Sequence, residues 1–79
     1  FFDRGMAAMR RGDYAAARAD FTREIERDAA YHEFHFWLAA AHAALGDTAA
    51  TRRHLALALE NSTTRGERDL YAAKLGRIR

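Results

Sequence analysis

Three observations predict an all-α fold built of stacked helical hairpins. Alanine is the commonest residue, Val is absent and Ile occurs only at Ile25 and Ile78, a balance that favours helix over strand. Proline, the strongest helix breaker, does not occur. Gly-Asp pairs recur at Gly12-Asp13 and Gly46-Asp47, and a period of about 34 residues belongs to stacked supersecondary units.

The elements follow from the breaks. Gly12 suits a left-handed residue at the end of a first helix over 1–11, and Asp13 caps a second over 14–27. Asp28-Ala29-Ala30 opens the way to a third helix over 31–45. Gly46-Asp47 then repeats the earlier turn and starts a fourth over 48–60. Asn61-Ser62-Thr63-Thr64 is the most polar loop, and Thr64 with Glu67 forms a capping box for a fifth helix over 65–78.

Length and composition restrict the possibilities further. Seventy-nine residues hold one small core, and 49% apolar with 30% charged residues is ordinary globular balance. The absence of Cys removes disulfides and Cys-based zinc sites. The apolar runs are too short to span a membrane, and no signal-peptide pattern opens the chain. Such a chain fits the cytoplasm, and a segment of a periplasmic protein would read the same. The chain opens at Phe1 rather than Met, as expected for a segment of something longer. Twelve Arg against one Lys, with abundant Ala, is the coding bias of a GC-rich bacterial genome and carries no functional weight.

Sliding the chain so that Gly12 falls on Gly46 aligns more than the turns. Phe2 meets Phe36, Ala7 meets Ala41, and Ala15-Ala16 meet Ala49-Ala50. Phe21 and Ile25 meet Leu55 and Leu59, a shared apolar pair one helical turn apart. Another step carries Phe36-Trp37 onto Leu70-Tyr71 and Ala39 onto Ala73.

In these features the chain resembles the tetratricopeptide repeat family, whose unit is two antiparallel helices. Leu38-Ala39 stands at the large-small pair of the first helix, and Gly12-Asp13-Tyr14 matches the turn. Ala17 and Phe21, then Leu55, Ala58 and Leu59, match the small and large residues of the second helix. The resemblance implies repeat one over 1–30, repeat two over 31–64 and a capping helix over 65–78. Arg4 and Glu24 depart from it at usually apolar positions, His42 stands for a frequent Tyr, and Thr51 for Ala.

No catalytic or metal constellation emerges. His32 and His35 lie one turn apart on the third helix with Glu33 between them, but no converging partners complete a metal site. His35 and His42, seven residues apart on the face that packs against the second helix of the repeat, read as partly buried, hydrogen-bonded rings. His54 reads as isolated and solvated on the fourth helix. Ser62 is the only serine and has no neighbouring His. Asp3, Asp20, Glu24, Glu26, Asp28 and Glu33 interleave with Arg18, Arg23 and Arg27 as solvated ion pairs. Residues 41–79 carry a net +3 against −1 for residues 1–40, which is too diffuse to favour nucleic acid over a solvated outer face.

The aromatic pattern is more informative. Phe34, Leu38, Ala41 and Leu45 form one stripe of the third helix, assigned to the core. Phe36, Ala40 and Ala43, with Trp37 at the border, form a second stripe. The resemblance places that stripe on the concave groove in which such repeats hold peptides. Phe2, Met6, Phe36, Trp37 and Tyr71 are therefore expected to line the groove, with Lys74 and Arg77 at its basic end. The implied role is a non-catalytic protein–protein interaction module, with no cofactor and no metal. Its partner would be an apolar or amphipathic, acidic peptide or helix. The competing roles are a packing or homodimerisation segment of a larger bacterial protein, whose own chain fills the groove, and a basic helical nucleic-acid binder.

Overall fold

A computed structural model of the chain describes residues 1–78. They form five helices: α1 (Phe2–Arg10), α2 (Tyr14–Arg27), α3 (His32–Ala44), α4 (Thr48–Glu60) and α5 (Arg65–Arg77). Each helix packs on the next along the chain, which makes two hairpins, α1–α2 and α3–α4, followed by α5. The architecture is all-α, as the composition and breaks predict.

The two hairpin turns are built alike. Gly12 and Gly46 sit at φ of 80° and 82°, the left-handed region that favours glycine. Asp13 and Asp47 follow, and their carboxylates accept from the Ala16 and Ala50 N–H groups at 3.2 and 3.1 Å. Their own N–H groups donate back to the Ala8 and His42 carbonyls, both at 2.9 Å. The equivalence of the two turns thus extends from residue type to hydrogen bonding. Thr64 and Glu67 form the expected capping box at the start of α5.

The core centres on the fully buried ring of Phe21, surrounded by Ala8, Ala17, Leu38 and Ala41. Gly5 lets α1 approach that ring, because the place of a Cβ on Gly5 lies 2.5 Å from Phe21 Cε1. Ala17 and Ala39 are buried, as small residues at close helix approaches should be.

Two expectations about burial are corrected. Leu45, assigned to the core stripe, is exposed because it is the C-cap residue of α3 and lies past the packed turns. Asp20 and Glu24 are buried rather than solvated. Arg4 approaches Asp20 to 3.7 Å, and Arg27 lies 3.3 Å from Glu24. Paired carboxylates therefore fill two positions on the inner side of α2. Thr51 is also buried, and its hydroxyl donates to the Asp47 carbonyl at 2.8 Å.

Candidate functional site

Where α3, α4 and α5 meet, the surface opens into a cavity of about 350 Å³. Phe36, Ala39, Ala40 and Ala43 of α3 line one side, and Thr51 and Leu55 of α4 the floor. Lys74, Arg77 and Ile78 close the α5 end. The small α3 residues create the space, since each alanine stands where a larger side chain would fill the gap. The volume lies within the range of small ligand pockets, and it would accept one or two side chains of a peptide.

Lys74 Nζ lies 5.8 Å from the centre of the Phe36 ring, within cation–π range. Neither Lys74 nor Arg77 makes an ion pair among the described residues. The site therefore joins an apolar α3 wall to two cations that are unpaired among the described residues.

Of the seven residues expected to line one groove, Phe36, Lys74 and Arg77 come together here. Tyr71 is a correction: it is only 3% exposed and lies behind the site, its ring centre 5.3 Å from that of Phe36. Burial, followed by the charges of Glu67 and Glu33, pushes the Tyr71 hydroxyl above its ordinary value, so it stays protonated. Trp37 meets Phe36 edge-on at 5.2 Å and packs partly into the Phe21 core. Phe2 and Met6 do not join this cavity. Both pack against the Phe21 core, and the Phe2 ring centre lies 5.6 Å from that of Phe34.

Polar networks absent from the sequence reading hold the walls in place. His32 Nδ1 lies 2.6 Å from the Tyr71 hydroxyl, and its Nε2 lies 3.4 Å from Glu67 Oε2. This chain of contacts ties the first turn of α3 to α5. Glu67 also accepts from the Thr63 and Thr64 N–H groups, at 2.9 and 3.2 Å. The Thr63 bond and the nearby His32 hold the Glu67 carboxyl below its ordinary range, against a smaller opposing effect of burial.

His54 is neither isolated nor solvated. It is half-buried between α3 and α4, with His35 on one side and His42 on the other. His35 and His42 lie on the α3 face that meets α4, as their spacing predicts, and it is His54 on the facing helix that departs from expectation. No group of three or more side chains with metal-ligand geometry occurs among the described residues. Nor is any described helix long and apolar enough to cross a membrane.

No family model matches the chain, and no curated protein or solved structure matches it. The functional reading consequently rests on the site itself.

Proposed function

We propose that the chain is a tetratricopeptide-like, non-catalytic protein–protein interaction module. Its groove between α3, α4 and α5 takes an apolar or amphipathic peptide that carries carboxylates. The carrying observation is the juxtaposition of the Phe36–Ala40–Ala43 wall with Lys74 and Arg77, which form no ion pair among the described residues. An apolar side chain seated beside Phe36 would supply most of the affinity, and the two cations would steer and orient an acidic flank. The recurrence of one turn geometry at Gly12-Asp13 and Gly46-Asp47 supports the repeat assignment, because stacked repeats commonly present such grooves.

Panning a displayed random-peptide library against the chain tests this reading, with an Ala43→Arg chain for counter-selection. Ala43 is exposed on the rim, so arginine there obstructs the groove and leaves the core intact. Enriched peptides should pair apolar with acidic residues and bind the unaltered chain alone. Peptides that bind both chains equally would place the binding surface elsewhere.

A further inference from the structure

All four histidines of the chain lie at contacts among α3, α4 and α5, and three of them form one cluster. His35 Nε2 lies 2.6 Å from the Ala29 carbonyl oxygen. A carbonyl can only accept, so that nitrogen carries the proton. In neutral His35 the other nitrogen, Nδ1, is then a bare acceptor, and it lies 3.3 Å from His54 Nδ1. His54 must therefore donate from Nδ1. The two rings are nearly parallel, with planes inclined by 18° and centres 5.5 Å apart. His42 continues the row, with its ring centre 5.5 Å from that of His54 and planes 13° apart. Its Nδ1 is buried and has no hydrogen-bond partner among the described residues.

We infer that the His35–His54–His42 cluster is an acid-sensitive clasp that holds α3 to α4 when neutral and releases them when protonated. A proton on His35 Nδ1 removes the acceptor, leaving two N–H groups facing each other across the interface. A proton on His54 places a charge in a half-buried row that contains two further imidazoles. The surrounding charges strengthen the effect. Arg53 on α4 and Arg18 on α2 both oppose protonation, and Asp47 in the α3–α4 turn alone favours it, at His42. On α5, Glu67 faces His32 instead.

The direction of the pH response follows by linkage. Burial, then His35, His42 and Arg53, pushes His54 from 6.5 down to about 4. Burial likewise lowers His42. The unfolded chain therefore binds more protons than the folded one, and stability falls as pH drops below the ordinary value of 6.5. For His54 the loss is complete only below about 4. Because α3 and α4 supply one wall and the floor of the groove, the same event would empty it. That consequence rests on the peptide-binding reading; the clasp itself does not.

Imidazole ¹⁵N shifts of the wild-type chain, followed from neutral to acid pH, test the clasp without any ligand. His54 should be the Nδ1–H tautomer at neutral pH and should take up a proton only well below its ordinary value. A His54 that is the Nε2–H tautomer, or that titrates at its ordinary value while the hairpin stays folded, overturns the inference. In parallel, thermal melts at pH 7 and pH 5 compare wild type with His54→Gln. The wild type should lose at least about 5 °C over that interval, and the variant less than half as much. Equal losses would assign the acid response to other groups and equally overturn the clasp. The ¹⁵N arm uses the native chain and decides even if the variant does not fold. Neither arm involves a peptide, so failure of the clasp and failure of groove binding remain distinguishable.

Discussion

Gly5 and Phe21 are in direct contact, with no room between backbone and ring for a methyl group. Helix propensity alone favours Gly5→Ala by about 1 kcal/mol, since Gly5 lies inside α1. The packing predicts the opposite sign. Phe21 is fully buried, and a methyl on Gly5 would lie 2.5–2.9 Å from its ring atoms, so the substitution should cost about 1–3 kcal/mol. A lowered denaturant midpoint is the expected result; a raised one would mean that α1 stands further from α2.

Ala17 offers a second test of close approach. It is fully buried in the core cluster, and Ala17→Leu should overpack that core by about 1–3 kcal/mol. Ala39 is equally buried but borders the groove cavity, so Ala39→Leu has space to enter and should cost less. Chemical denaturation of the two variants should rank them in that order.

Tyr71→Phe isolates the tie between α3 and α5. It removes the hydroxyl 2.6 Å from His32 Nδ1 and leaves that buried nitrogen without its partner. The cost should be about 1–3 kcal/mol, visible as faster amide exchange along α5. Unchanged exchange would mean that the ring alone docks the helix.

Acid should act on this chain in two phases. Glu67 has a folded-state value below the usual 4.5, so its stabilisation is present above that value and is lost as pH falls through the folded one. The histidine phase begins higher, just below 6.5. Glu67→Gln should therefore remove the Glu67 share of the loss below 4.5 and leave the onset just below 6.5, as read by helical signal against pH. Loss of both phases together would show that the two networks open as one.

The helices were legible because their punctuation is local: Gly-Asp turns and the Thr64–Glu67 box act within one helical turn. The groove was legible only in part. The repeat equates Phe2 with Phe36 and Trp37 with Tyr71, but equivalent positions have different neighbours at the two ends of a short stack. Phe2 meets Phe21 and Phe34, whereas Phe36 meets Tyr71, Trp37 and Lys74. His54 was missed because its partners, His35 and His42, lie on another helix, and a scan within one helix cannot join them.

Phe36 and Trp37 separate binding from folding. Trp37 packs into the Phe21 core, so Trp37→Ala should lose about 2–4 kcal/mol of stability. Phe36 faces the groove, and Phe36→Ala should leave the fold with about 1 kcal/mol less. The most direct measurement is calorimetric titration of a library-selected acidic, apolar peptide into the wild-type and Phe36→Ala chains, each verified as folded by circular dichroism. Binding should weaken by about 2 kcal/mol, near thirtyfold, in the variant. Equal affinity for the two folded chains would contradict the groove between α3, α4 and α5 as the binding site.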